Sequence, residues 1–126
     1  MNVVDSSGWL EYFAGGPNSD FFASPLGAPA ELLVPSITIY EVFKRVLVQR
    51  GEGDALQAVA LMQQGCVLDL SASAALAAAR LSVEATLPMA DAIILSAARL
   101  HGATFWTQDA HFEGMTGVEY VSARSD

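Results

Sequence analysis

The chain has 126 residues, the size of one domain, and its 52% content of hydrophobic residues excludes an intrinsically disordered protein. Its formal net charge of −8 argues against broad, non-specific binding of nucleic acid, so any nucleic-acid substrate has to be held locally. A single cysteine excludes an internal disulfide, and one cysteine with two histidines argues against a zinc site.

Neither a membrane span nor a signal peptide is predicted. The longest stretch without a charged residue, from Ala55 to Leu68, is 14 residues long and contains three glutamines, whereas a spanning helix needs about 20 apolar residues. The N-terminal residues Met1 to Asp5 lack the basic and apolar regions of a secretion signal. We therefore expect a cytoplasmic protein that forms a single domain over residues 1–126.

In the first half of the chain, strands and helices are predicted to alternate. A short apolar strand over residues 2–5 precedes a helix over residues 6–14, for which Ser6 or Ser7 is a suitable N-cap. Glycines and prolines then predict loops on either side of a short helix. The remaining elements of this half are a helix over 18–24, a strand over 31–34, a helix from Pro35 to about Gln49 and a helix over 53–64.

The second half continues the same alternation. A strand is predicted over 66–70, an alanine-rich helix after Ser71, a helix from Pro88 to His101, and strands over 103–107 and 118–121. Helical spacing places one apolar stripe on each of two helices, and the helix from Pro88 is apolar almost all round, so we expect it to be largely buried. The stripes are Ile39, Phe43, Val46 and Leu47, and Leu76, Ala79, Val83 and Leu87.

Strands that are separated by helices predict a mainly parallel sheet of four to five strands with helices on both faces, which is a three-layer α/β/α fold. In such sheets ligands bind beyond the carboxyl ends of the strands. Asp5 and Asp109 both follow predicted strands at that end.

Four acidic residues stand where this fold would bring them together: Asp5, Glu41, Asp91 and Asp109. Glu41 and Asp91 lie in helices among mainly apolar neighbours, where an uncompensated carboxylate costs several kcal/mol. The chain has only six cationic residues for 14 acidic ones. A divalent cation is the simpler compensation, and hard oxygen ligands suit Mg²⁺ and Mn²⁺. The cluster therefore indicates metal-dependent chemistry on phosphate esters.

Four segments that carry these acids, in this order and spacing, resemble a PIN domain, and most closely the VapC-type toxins of bacterial type II toxin–antitoxin systems. The resemblance covers nearly the whole chain and implies a Mg²⁺- or Mn²⁺-dependent endoribonuclease that binds one or two ions, forms a homodimer and is inhibited by a cognate antitoxin whose tail enters the active-site groove. The segments are Asp5-Ser6-Ser7 and residues 40–45, 89–94 and 106–112.

The resemblance also implies roles for individual residues. All four acids are expected to be catalytic, with Asp5 and Asp91 as metal ligands and Asp109 as a ligand either directly or through water. Glu41 would bind a second ion or position a water molecule. Ser6 and Thr107 would hold carboxylates or water, although ordinary capping and turn bonding explains them equally well.

Two cations follow Glu41 on the same face of its helix. Lys44 and Arg45 are predicted to bind RNA phosphates, but a helical Glu41–Arg45 pair worth about 0.3–0.5 kcal/mol is the simpler explanation for Arg45. His111 is interpreted as a loop residue rather than as a proton donor, and Cys66 as a small buried apolar residue.

Two other phosphate chemistries do not fit. A receiver-like domain needs a lysine near the last strand, and the only lysine is Lys44; a haloacid-dehalogenase-type phosphatase needs an aspartate where Ser7 stands. The alternative of a different class is a non-catalytic PIN-fold module that acts through complex formation alone. Metal-dependent cleavage of single-stranded RNA distinguishes it from the endoribonuclease.

Overall fold

A computed structural model describes residues 1–124 of the chain. Five strands and six helices follow one another with two short 3₁₀ turns, Pro29–Glu31 and Ala110–Phe112. The strands are β1 (Asn2–Val4), β2 (Leu32–Pro35), β3 (Cys66–Leu68), β4 (Thr104–Thr107) and β5 (Val118–Tyr120). The helices are α1 (Ser6–Ala14), α2 (Ser19–Leu26), α3 (Ser36–Arg50), α4 (Glu52–Met62), α5 (Ala72–Ala85) and α6 (Met89–Leu100).

The five strands form one parallel sheet in the order β3-β2-β1-β4-β5. β1 is central, and its Val3 lies between Leu33 of β2 and Phe105 of β4. Because all strands run the same way, the residues that follow β1 and β4 lie at one edge of the sheet. The predicted parallel α/β/α fold is confirmed.

Each face of the sheet has its own hydrophobic core. On one face, Val3 and Phe105 pack with Ile94 and Leu95 of α6 and with Phe112. On the other face, the core contains Val4, Trp9 of α1, Phe22 of α2, Val42 of α3 and Met62 of α4. Consecutive residues of β1 therefore point into different cores, as expected for a strand that is covered on both sides.

The predicted helix faces are confirmed only in part. On α3, Ile39, Phe43 and Val46 pack in or against a core as predicted. Leu47 is 40% exposed instead, and the most deeply buried residues of the helix are Thr38, Val42 and Val46. On α5, Leu76 and Val83 are 60% and 83% exposed. α6 is largely buried, as predicted, and its exposed residues, Met89, Arg99 and Leu100, lie at its two ends. Apolar periodicity alone does not identify the side that meets the sheet, since neighbouring helices and exposed apolar faces give the same pattern.

Two predictions about single residues are also wrong. The helix predicted to end at residue 24 continues to Leu26 with Pro25 in its last turn, and Cys66 is exposed rather than buried. Cys66 begins β3, which is an edge strand of the sheet and is therefore covered incompletely. Within the described residues no single helix is both long and apolar enough to cross a membrane. Only α5 and α6 taken together have the length and composition of a spanning segment, and a bend of 113° separates them.

Candidate metal-binding active site

The carboxyl edge of the central strands carries the predicted acids. Asp5 follows β1 and is the N-cap of α1, while Asp109 follows β4 and caps the 3₁₀ turn at Ala110–Phe112. Asp91 lies in the first turn of α6, and Glu41 lies in α3, whose first residue follows β2 directly. Two strand ends, the first turn of α6 and the second turn of α3 therefore present the four carboxyl groups.

Asp5 is the most deeply buried of these acids, with 4% of its surface exposed. Its Oδ1 accepts a hydrogen bond from the Ser6 amide at 2.8 Å, and its Oδ2 accepts from the hydroxyls of Ser7 at 3.0 Å and Thr107 at 2.9 Å. Burial nevertheless raises the pKa of Asp5 from 3.8 to about 6, and the charge of Asp91 adds to this rise. The site holds this carboxylate rigidly but stabilises its charge incompletely.

Hydroxyl groups connect the acids to one another. Thr107 Oγ1 donates to Asp5 and accepts from the Asp109 amide at 2.9 Å, so it links the ends of β1 and β4. Ser6 Oγ donates to Glu41 Oε1 at 2.6 Å and thereby ties α1 to α3. The Glu41–Arg45 ion pair, the simpler explanation for Arg45 in the sequence, is absent among residues 1–124.

Asp91, Asp109 and His111 form the tightest group. Each offers a ligand atom within 4.8 Å of the other two. His111 Nδ1 is 3.4 Å from Asp91 Oδ2 and 3.3 Å from Asp109 Oδ1. Partial burial and repulsion by Asp109 raise the pKa of Asp91, with a smaller contribution from Glu41, although His111 acts in the opposite direction. Two carboxylates that repel each other in one cleft lack a full counter-charge.

The donor set fits a divalent cation. Carboxylate oxygens suit Mg²⁺ and Mn²⁺, and a cation would relieve the repulsion that raises the pKa of Asp91. Asp5 and Glu41 do not belong to the compact group of three. They are close enough that Asp91 affects the pKa of Asp5 and Glu41 affects the pKa of Asp91. Their assignment as ligands stays a prediction.

A groove of about 570 Å³ runs between α1, α3 and α4. None of the four acids lines this groove, but two residues of its wall adjoin them: Ser7, which donates to Asp5, and Gln108, which precedes Asp109 in the chain. Arg45 and Arg50 supply positive charge in this wall, whereas Glu11 and Asp54 supply negative charge. Lys44 lies outside the groove lining, with its Nζ 5.6 Å from the centroid of the Tyr40 ring.

Sequence reasoning assigned no part in the site to three polar residues of this region. Ser7 was a candidate N-cap of α1, a position that Asp5 occupies instead, and His111 was interpreted as a loop residue. Ser7 bonds to Asp5, and His111 contacts two carboxylates. Asn18 is 3% exposed, donates to Gln108 at 3.0 Å and accepts from Arg124 at 3.1 Å. Ser7 and His111 stand two residues after Asp5 and Asp109, and that spacing was the available signal. No sequence signal identifies Asn18, because its partners are 90 and 106 residues away.

A family model described as the PIN domain matches residues 3–117. No curated protein matches the sequence. A toxin–antitoxin complex from Klebsiella pneumoniae contains a chain with a TM-score of 0.79 at 23% identity, covering 94% of this chain and 96% of that chain. VapBC2 from Rickettsia felis, bound to promoter DNA, gives a TM-score of 0.74 at 16% identity, with coverages of 94% and 97%.

A third similar structure is Mycobacterium tuberculosis VapC20, described as a toxin that cleaves the sarcin–ricin loop. Its TM-score is 0.69 at 18% identity, and the match covers 82% of this chain and 85% of that one. At these identities the similarity establishes the shared fold. The acids at the carboxyl edge of the sheet therefore lie in a known architecture.

Proposed function

The chain belongs to the PIN domain family, and from that premise we propose that it is a metal-dependent endoribonuclease that cleaves single-stranded RNA as the toxin of a toxin–antitoxin pair. The observation that carries the proposal is the group of Asp91 and Asp109 with no full counter-charge, next to the buried Asp5. The similarity of this chain to VapC20, described as a toxin that cleaves the sarcin–ricin loop, supports RNA cleavage as the activity.

Asp5, Asp91 and Asp109 would hold one or two Mg²⁺ or Mn²⁺ ions, which when bound act as Lewis acids and generate a nucleophile from water. Thr107 and Ser7 fix the Asp5 carboxylate, and the Thr107 hydroxyl also orients the backbone at Asp109. Glu41, held by Ser6, is placed to orient a water molecule or a second ion. These hydrogen bonds keep the oxygens in place before substrate arrives.

RNA has to be held against a net charge of −8. Arg45 and Arg50 in the groove wall can contact phosphates on the way to the acids. Since Arg45 forms no ion pair within residues 1–124, its guanidinium is available for this contact. Lys44 is exposed one residue earlier and would contribute a second phosphate contact. Because these contacts are made to phosphates, we expect RNA binding to weaken as salt is added.

The decisive experiment measures cleavage of a single-stranded RNA by the purified chain in EDTA, Mg²⁺ and Mn²⁺. We expect cleavage only with a divalent ion and a loss of about 10²-fold or more in Asp91→Asn, because a metal ligand is removed. Asp69→Asn is the matched control, since Asp69 is an exposed aspartate after the edge strand β3 and should leave the rate unchanged.

Two results would oppose the nuclease. Cleavage that persists in excess EDTA excludes a metal-dependent mechanism. Absence of cleavage with every divalent ion tested, together with normal folding and tight binding of a partner protein, would favour the non-catalytic PIN-fold module. We propose that the protein acts in the cytoplasm, where cellular RNA is available to it.

A cognate antitoxin is the partner that the groove suits. Leu10, Phe13 and Leu61 provide apolar contacts along it, and Glu11 and Asp54 would attract basic residues of a partner segment. The Klebsiella and Rickettsia structures are described as a toxin–antitoxin complex and as VapBC2. We expect the product of a short neighbouring gene to bind and to inhibit cleavage, and Leu10→Asp to weaken that binding. Equal binding by the variant excludes this groove.

Association into a homodimer is supported by exposed apolar side chains. Leu76 and Val83 are exposed on α5, and Met89 and Leu100 are exposed on α6. Burying such residues against a second copy would remove apolar surface from water. Light scattering at micromolar concentration should give twice the monomer mass, and Val83→Glu should lower it. A monomer at that concentration excludes the dimer.

A further inference from the structure

The imidazole of His111 faces the two carboxylates of the proposed metal site. Its Nδ1 lies 3.4 Å from Asp91 Oδ2 and 3.3 Å from Asp109 Oδ1. Both distances exceed the usual N–H···O range of about 2.7–3.2 Å, so Nδ1 is not committed to a good hydrogen bond with either oxygen. Donor atoms that share one cation at about 2.0–2.2 Å stand about 3–4 Å apart. The observed spacing therefore suits a common cation.

The backbone around His111 is held on both sides. The His111 amide donates to Asp109 Oδ1 at 2.9 Å, and the Asp109 amide donates to Thr107 Oγ1. On the other side, Phe112 is fully buried and its ring lies 4.8 Å from that of Phe105. The imidazole thus projects from a fixed turn while 62% of its side chain remains exposed to solvent. An ion can reach it without any rearrangement of the fold.

We propose that His111 is a nitrogen ligand of the divalent cation and shifts the preference of the site from Mg²⁺ towards transition-metal ions such as Mn²⁺ and Co²⁺. This inference rests on the proposed function, since it takes Asp91 and Asp109 as ligands. Carboxylates alone suit Mg²⁺, whereas imidazole binds transition-metal ions far better than Mg²⁺. One nitrogen donor among oxygen donors therefore changes which ion the same fold retains.

The competing role for His111 is that of a hydrogen-bond donor or counter-charge for the carboxylates in the metal-free protein. Such a residue would leave the site when a cation entered, because like charges repel. Its removal would change the affinities for all divalent ions by a similar factor. A ligand predicts a selective loss instead, and this difference decides the test.

Calorimetric titration of the metal-free full-length chain with Mg²⁺, Mn²⁺ and Co²⁺ supplies the first measurement. The variants are His111→Gln and, in case the first is poorly folded, His111→Asn; both keep an amide that can hydrogen-bond to the carboxylates. We expect each to lower the Co²⁺ affinity roughly tenfold or more and to change the Mg²⁺ affinity less than about twofold. Most donor sets bind Co²⁺ more tightly than Mg²⁺ in any case. The decisive quantity is therefore the change that the substitution causes in the ratio of Co²⁺ affinity to Mg²⁺ affinity.

His101→Gln is the matched control. His101 is the chain's other histidine, is exposed at the end of α6 and has its Nδ1 2.9 Å from the Ala97 carbonyl oxygen. It lies ten residues beyond Asp91, which is about 15 Å along a helix. This variant should bind all three ions like the wild type.

Electron spin-echo spectra of the Mn²⁺-loaded protein provide a readout that is independent of activity. Nitrogen coupling should be present in the wild type and in His101→Gln and absent in His111→Gln. An unchanged Co²⁺ to Mg²⁺ ratio, or nitrogen coupling that persists in His111→Gln, overturns the inference but leaves the metal-dependent nuclease intact. Unchanged metal binding by Asp91→Asn, or a wild type that binds none of the ions, overturns both.

Discussion

The buried carboxyl group of Asp5 predicts how the stability of the metal-free protein depends on pH. Burial raises the pKa of Asp5 from 3.8 to about 6, despite three hydrogen bonds that it accepts. At about 1.4 kcal/mol for each pH unit, this rise corresponds to a penalty of about 3 kcal/mol for the ionised form in the native state. The penalty is a large part of the stability of a small domain.

The sign follows from proton binding. Between pH 3.8 and about 6 the native state binds more protons at Asp5 than the unfolded state does. The free energy of unfolding therefore falls as pH rises through this window, and the loss is complete above about pH 6. Asp5→Asn has nearly the same shape and does not titrate, and the hydroxyls of Ser7 and Thr107 can rotate to accept from its amide.

The assay is urea unfolding of wild type and Asp5→Asn in EDTA, at several values from about pH 4 to pH 8. The unfolding free energy of the wild type, relative to that of the variant, should fall by about 2–3 kcal/mol across this range, because part of the full effect lies below pH 4. Excess Mg²⁺ should flatten the dependence, since a nearby cation favours ionised carboxylates. A difference that does not change with pH in EDTA refutes the claim that burial destabilises the Asp5 carboxylate.

Three further predictions concern neighbouring residues. Asp91→Asn should melt in EDTA at or above the wild-type temperature, because it relieves repulsion by Asp109. Mg²⁺ should raise its melting temperature much less than that of the wild type. A clearly lower melting temperature in EDTA would make Asp91 a structural residue. Thr107→Val should lower the unfolding free energy by about 1–3 kcal/mol and slow cleavage, since Asp5 loses a donor; full activity contradicts its positioning role. Phe112→Ala should lose about 3–5 kcal/mol in calorimetry, and a loss below 1 kcal/mol would show that the turn is not anchored by this ring.

The sequence by itself determined the fold class and the location of the acids. Short runs of strand-forming residues such as Asn2–Val4 and Thr104–Thr107, with an aspartate one or two residues later, are local patterns that predict strands and their carboxyl ends. Helices between strands require parallel connections, so Asp5 and Asp109 had to lie at the same edge. The physical reason is that strand and helix formation depends on residues close together in the chain.

Only the tertiary structure decided which groups of the site touch. Thr107 reaches Asp5 across 102 residues, and His111 meets Asp91 as well as its neighbour Asp109. The same holds for burial: Leu76 and Val83 have helical spacing, yet they face away from the sheet because other residues of α5 and α6 fill that core. Contacts and exposure depend on how the layers pack, and no local pattern in the sequence encodes that packing.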